Sequence, residues 1–289
     1  MSFVEIVILG TVIGGVWALV ASGFSLVFGV SRILNFAHGT YFALGAYFSL
    51  VFYTVFSTFL PPYLSLLIST FFAVILTGIT GVLVYLLTVK PIRNYEVMVI
   101  LVTLAVALFI KEILLMFFSD VSISIPPYIS GCTYIFGIPI TYSRVLALSI
   151  AIISIIALDV FTNKTKLGKE IIATSQDLEA AMLVGIDVEK IFVIVMFISS
   201  ILAAIAGILY AQIYAVNPMT ALRVLIYAFA IVILGGLGSV RGSILAAFII
   251  GYMQVAVSTL LASEWAEIVA MVAIIVILIV RPKGLMGVE

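Results

Sequence analysis

Long apolar runs separated by short polar stretches make up this chain from end to end. A helix needs roughly 20 apolar residues to cross the hydrocarbon of a bilayer. Runs of about that character fall at 5–30, 40–58, 63–88, 97–118, 142–160, 191–215, 222–236, 243–262 and 266–281. The ten-residue alternation of a membrane barrel is absent. The pattern therefore predicts an all-α, polytopic membrane helix bundle of about 8–10 spans, nine as drawn, in one transmembrane domain over 1–289. The run 222–236 is short for a full crossing and predicts a re-entrant or broken helix. The opening Met1-Ser2-Phe3-Val4-Glu5 has no basic stretch, and the run after it is too long for a cleaved leader. It reads as the first true span.

Composition strengthens this picture. The chain is 65% hydrophobic and 9% charged over 289 residues, with a mean hydropathy of +1.41. Soluble domains are nearer half apolar and a quarter charged. Too few charges are present to cover a water-facing surface, so lipid is the expected solvent. A soluble enzyme and a nucleic-acid binder are excluded on that ground. Thirteen basic residues balance thirteen acidic ones, so no net field advertises an anionic partner. The single cysteine, Cys132, has no internal disulfide partner.

The distribution of Lys and Arg predicts orientation. Lys90 and Arg93, then Lys164, Lys166, Lys169 and Lys190, then Arg281 and Lys283 fall on one side when the spans alternate, joined by Arg32 and Arg241. That side is expected to be cytoplasmic, with the N-terminus outside and the C-terminus inside. Arg144 and Arg223 fall on the other side with Glu5, Asp120, Glu264 and Glu267. Two segments outside the spans are long enough to act. The outer loop 119–141 has three prolines and two glycines, and the inner loop 161–190 is the most polar stretch.

Two breaks stand out. Ser31-Arg32-Ile33-Leu34-Asn35-Phe36-Ala37-His38-Gly39 interrupts the first two spans with side chains that are costly in hydrocarbon. Either it lines a pathway or gate, or it is a plain cytoplasmic loop in which Arg32 snorkels and Asn35 caps the next helix. Leu234-Gly235-Gly236-Leu237-Gly238-Ser239-Val240-Arg241-Gly242 carries four glycines in the eight residues 235–242. That density does not sustain a straight helix, and it suits either a flexible seam beside a pathway or close helix packing. Gly10 and Gly14 read as packing glycines. Lys111 and Glu112 lie inside the fourth run, positioned either to meet a zwitterionic solute or to pair with other protein groups or snorkel outward.

The inner loop contains Thr174-Ser175-Gln176-Asp177-Leu178-Glu179-Ala180-Ala181-Met182-Leu183-Val184-Gly185-Ile186-Asp187. Thr174 or Ser175 suits a helix N-cap, Asp177 and Glu179 suit the positive end of the dipole, and Gly185 suits the stop. A short helix over about 175–184 is expected, with Leu178, Ala181 and Met182 on one side. Asp187 then caps the following span, with Glu189 in its first turn. Such a helix fits a groove on a partner protein, or else lies flat on the bilayer.

Catalytic chemistry is thin. His38 is the one histidine, no Gly-x-Ser-x-Gly elbow occurs, and Gly168-Lys169 is followed by Glu170 with no upstream phosphate-binding glycine. No metal cluster or ATP cradle is expected in this chain.

These segments carry a resemblance. Glu179-Ala180-Ala181-x-x-x-Gly185 resembles the Glu-Ala-Ala-x-x-x-Gly signature of ABC-importer permeases. Arg32-Ile33-Leu34-Asn35-Phe36-Ala37-His38-Gly39, followed by Leu44-Gly45-Ala46-Tyr47, resembles a hallmark of LivH-type branched-chain amino-acid permeases. Gly235-Gly236-Leu237-Gly238-Ser239, followed by Gly242, resembles a second; Arg241-Gly242 departs from the Pro-Gly more often found there. The likeness spans nearly the whole chain. It implies a plasma-membrane permease subunit paired with a second, LivM-like permease. Two cytoplasmic ATPases would hold ATP and Mg, and an extracytoplasmic binding protein would deliver a branched-chain or related amino acid. Glu179, Ala180, Ala181 and Gly185 would mark the coupling helix. Asn35, Phe36, His38, Gly39, Gly235, Gly236, Gly238 and Ser239 would border the substrate pathway as hinge or gate, with Asn35, His38 and Ser239 as candidate contacts, and 119–141 would help dock the binding protein. A permease for urea, short amides or a sugar, or a secondary transporter independent of ATP, is the alternative.

Overall fold

A computed structural model describes residues 3–135, 137–261, 265, 266, 268, 269, 271, 272, 276, 279 and 284–286. Within them, ten α-helices run in chain order: α1 (Phe3–Ser31), α2 (His38–Phe56), α3 (Pro62–Val84), α4 (Glu96–Phe118), α5 (Tyr142–Lys164), α6 (Lys166–Gln176), α7 (Leu178–Leu183), α8 (Val188–Ala211), α9 (Thr220–Gly235) and α10 (Val240–Leu260). Seven are long and apolar enough to cross a bilayer: α1 to α5, α8 and α10. The predicted run 266–281 and the charges Arg281, Lys283, Glu264 and Glu267 fall largely or wholly outside the described residues.

The 29-residue α1 is apolar on all faces, and its residues from Val12 to Val27 are buried. A helix apolar all round belongs in an interior, and α1 lies against α5, α8, α9 and α10. Gly14 and Gly251 let α1 and α10 approach until a Cβ built on Gly251 would sit 2.7 Å from the Gly14 Cα. Gly10 meets the Tyr252 side chain in the same way. These are packing glycines, as their helical spacing suggests. The outer helices α4 and α5 keep only a narrow buried stripe, Val99, Thr103, Ala107 and Leu114 on α4 and Ser143, Ala147, Ala151 and Leu158 on α5. Their remaining apolar surface is suited to lipid.

The 16-residue α9 is unbroken, so the short run 222–236 is a compact helix and not a broken one. It rises about 24 Å, less than the roughly 30 Å of hydrocarbon. It lies against α1, α2 and α10, and most of its length is buried among them. The chain also bends where α3 ends, through a π-helical turn at Tyr85–Val89 and a 3-10 turn at Lys90–Ile92.

The loop 119–141 carries structure that its prolines and glycines did not foretell. Cys132–Ile135 and Ile138–Thr141 form an antiparallel hairpin, β1 and β2, with Cys132 opposite Thr141. Ile123 and Val216 exchange backbone hydrogen bonds of 2.8 Å, tying this loop to the segment between α8 and α9.

Candidate functional site: two helix breaks and a short inner helix

The ends of α1, α5 and α9 and the starts of α2, α8 and α10 gather at one end of the bundle with α6 and α7. The first break begins where Arg32 takes φ of 56° and ends α1. Asn35 then folds inward, 2% exposed. Its Oδ1 accepts from the Ala37 N–H at 3.0 Å, and its amide nitrogen approaches Met196 Sδ at 3.8 Å. This Asx turn sets the start of α2, although Ala37, not Asn35, stands at the N-cap position. The Phe36 N–H donates to Thr103 Oγ1 at 3.1 Å, which fastens the break to α4. The Phe36 ring lies 4.7 Å from that of Phe229 on α9.

His38 is 1% exposed. Its Nε2 lies 2.9 Å from the Val20 carbonyl oxygen, and its Nδ1 lies 3.2 Å from Ser199 Oγ. A carbonyl only accepts, so Nε2 carries the proton and Nδ1 accepts from the serine hydroxyl. The ring thus joins α1, α2 and α8. Gly39 follows because nothing larger fits: its Cβ would lie 2.3 Å from the Ala221 carbonyl oxygen on α9.

At the second break Gly236 and Gly238 take φ of 102° and 84°, values that favour glycine. Gly235 is set against the backbone of Gly242 and Ser243 across the turn. Ser239 Oγ accepts from the Gly242 N–H at 3.1 Å and caps α10. The two breaks meet through neighbouring glycines, since a Cβ on Gly238 would lie 3.2 Å from the Gly29 Cα near the end of α1. A cavity of about 480 Å³ adjoins this contact, lined by Ser25 and Gly29 of α1, Asp159 of α5, Ser175 of α6, and Gly238 and Ser239. The second break, the last turns of α1 and the α6 segment leading to α7 therefore share one space.

The short helix differs in start from the sequence reading. Thr174 and Ser175 close α6, where their hydroxyls return to Glu170 and Ile172 carbonyls. Asp177 is the N-cap of α7, its Oδ1 accepting from the N–H groups of Glu179 and Ala180 at 3.0 Å each. At the other end Gly185 takes φ of 84°. Gly185 N–H donates to Met182 O and Ile186 N–H to Ala181 O, both at 3.0 Å, a Schellman stop. Ala181 is 3% exposed and faces inward. Leu178, Glu179, Ala180, Met182, Leu183 and Val184 are exposed, so Ala181 is not on the outward side with Leu178 and Met182.

A cluster the sequence reading missed braces this end. Glu189, in the first turn of α8, accepts from Tyr85 Oη at 3.0 Å. It also pairs with Lys90 at 3.2 Å and Arg93 at 2.8 Å. Asp187 caps α8 through the Lys190 N–H at 3.1 Å, as its place in the sequence suggests. Of the intramembrane carboxylates, Glu112 pairs with Lys111 at 2.7 Å and Asp159 with Arg241 at 3.5 Å. No group of three or more His, Cys, Asp or Glu side chains able to hold a metal occurs among the described residues.

Similarity to known proteins agrees with this arrangement. A model of the family described as branched-chain amino acid transport system, permease component, matches residues 6–278. The high-affinity branched-chain amino acid transport system permease protein LivH of Salmonella typhimurium is 26% identical over 96% of this chain and 93% of its own. BraD of Pseudomonas aeruginosa, with the same description, is 25% identical over 96% and 94%. PsaBC from Streptococcus pneumoniae, solved in complex with Fab, shares the fold at a TM-score of 0.50 and 11% identity over 98% of this chain and 93% of that one. With seven spanning helices and a family match that runs over nearly its whole length, the chain belongs to the branched-chain amino acid transport permease family.

Proposed function

We propose that this chain is a membrane subunit of an ABC importer that carries branched-chain or related hydrophobic amino acids by alternating access. The observation that carries the reading is α7. It is a six-residue helix capped at both ends, held between α6 and α8, with Leu178, Met182, Leu183 and Val184 turned outward. Apolar side chains on a short exposed helix fit a groove on a partner. The partner here is an ATPase, which supplies the ATP and Mg chemistry. Two such ATPases, a second LivM-like permease and an extracytoplasmic binding protein complete the assembly. The α7 end is cytoplasmic, because Lys90, Arg93, Lys164, Lys166, Lys169 and Lys190 flank the membrane there. The membrane is the plasma membrane.

In this mechanism closure of the ATPases moves α7 and, through Asp187 and Glu189, the start of α8. Motion of α8 acts on Ser199 and so on His38, and motion of α6 acts on the cavity beside Gly238 and Ser239. The two breaks serve as hinges at the inner end of the pathway. Glu179→Lys places a positive charge at the positive end of the α7 dipole. In the reconstituted importer it is expected to lower substrate-stimulated ATP hydrolysis at least tenfold while the protein still inserts in the membrane. Undiminished leucine uptake by that variant would contradict the coupling role.

A further inference from the structure

At the end of the bundle away from α7, a cavity of about 560 Å³ opens among α1, α5, α8 and α10. That volume is ordinary for a small-molecule site. Leu9, Ile13 and Val255 give it an apolar wall, and Tyr210 and Tyr214, whose rings are 5.1 Å apart, line it as well. Arg144, in the first turn of α5, brings the one charge to the lining. Arg144 is partly buried, and no carboxylate among the described residues pairs with it. An arginine stays charged at any physiological pH, and a charge withdrawn from water is costly until an anion meets it. Arg144 also borders a smaller hollow of about 270 Å³ beneath the outer loop, together with Ser130 and Gln212. The guanidinium-bearing residue therefore stands between the outer loop and the larger cavity.

Gln254 adds a second donor. Trp17 Nε1 donates to Gln254 Oε1 at 2.6 Å, which orients the amide and leaves its NH2 group to donate to a ligand. Arginine grips a carboxylate with two parallel hydrogen bonds. Tyrosine ring faces attract an ammonium group. The apolar wall suits an aliphatic side chain.

We infer that this cavity is the outer-half substrate site, in which Arg144 and Gln254 hold the carboxylate of the transported amino acid. The inference rests on the amino-acid reading above and goes beyond it by assigning the carboxylate contact. It also moves substrate recognition away from Asn35 and His38, whose polar atoms are engaged within the protein.

The test uses the assembled importer in liposomes, with Cys132→Ser removing the exposed natural thiol and Ser258→Cys placing one on the cavity wall. Leucine at millimolar concentration is expected to slow maleimide labelling of Ser258→Cys at least threefold, leucinamide and ribose are not, and adding Arg144→Gln is expected to abolish the protection. In uptake assays Arg144→Gln is expected to lower leucine transport at least tenfold, with Arg144→Lys recovering part of it. Equal protection by leucine and leucinamide would overturn the inference, and so would complete resistance to labelling. Protection by phosphatidylglycerol in place of leucine would overturn it too, marking a lipid headgroup site. If the unmodified importer takes up leucine and no protection is seen, the site assignment fails and the amino-acid reading survives. If it takes up no branched-chain amino acid, the reading beneath it fails.

Discussion

Single residues at the breaks are set by very close contacts, and this makes their replacement costly. Gly39 faces the Ala221 carbonyl at a distance no Cβ tolerates. Gly39→Ala should therefore force α2 and α9 apart, at about 1–3 kcal/mol, typical of overpacking. A lower thermal midpoint of the detergent-solubilised protein checks this, and an unchanged midpoint would contradict it. His38→Ala removes both ring hydrogen bonds, leaving the buried Ser199 hydroxyl without that partner and the Val20 carbonyl with its helical bond alone. A cost of about 1–3 kcal/mol is expected, read in the same assay. Gly185 differs from Gly39, since nothing lies within 4 Å of its added Cβ. Only its left-handed backbone resists a side chain, at roughly 1–2 kcal/mol, so Gly185→Val should loosen the end of α7 with little effect on the global midpoint.

At the scale of elements, α7 is the least self-sufficient piece. Six residues are too few to be helical in isolation, so its order depends on the Asp177 cap, the Gly185 stop and the burial of Ala181. Asp177→Ala should cost about 1 kcal/mol locally. It should raise hydrogen exchange over 178–183 while α8 stays protected; equal exchange with and without the cap would contradict this account. The helix itself was legible from Asp177, Glu179 and Gly185, but its start was not. Thr174 and Ser175 are good caps in principle, and they instead bond back into α6 because that helix continues to Gln176. The hairpin at 132–141 was also hidden, since its short strands include Pro139 and give little alternation to read.

For the whole molecule, apolar run length was enough to locate the seven described helices of crossing length, because a bilayer demands long helices of any crossing segment; the run 266–281 lies largely outside the described residues. Which helix sits at the centre was not legible, since α1 and α4 are similarly apolar and only tertiary packing buries one and exposes the other. The glycines of the two breaks announced themselves by density, and their meeting through Gly29 and Gly238 did not. Long-range pairs such as Glu189 with Arg93, or Arg144 with the α10 face, carry no local sequence signal. Opposite-side labelling provides a molecular check. Leu183→Cys and the natural Cys132 lie at opposite ends of the bundle. In right-side-out vesicles an impermeant maleimide should label Cys132 and spare position 183 until the vesicles are opened; labelling of both from outside would refute the orientation. An ATPase grip on α7 is read out by crosslinking Met182→Cys to single cysteines along the ATPase groove, with and without ATP. An efficient crosslink whose yield changes on ATP binding is expected, and a failure to crosslink in the active, assembled importer would rule the grip out.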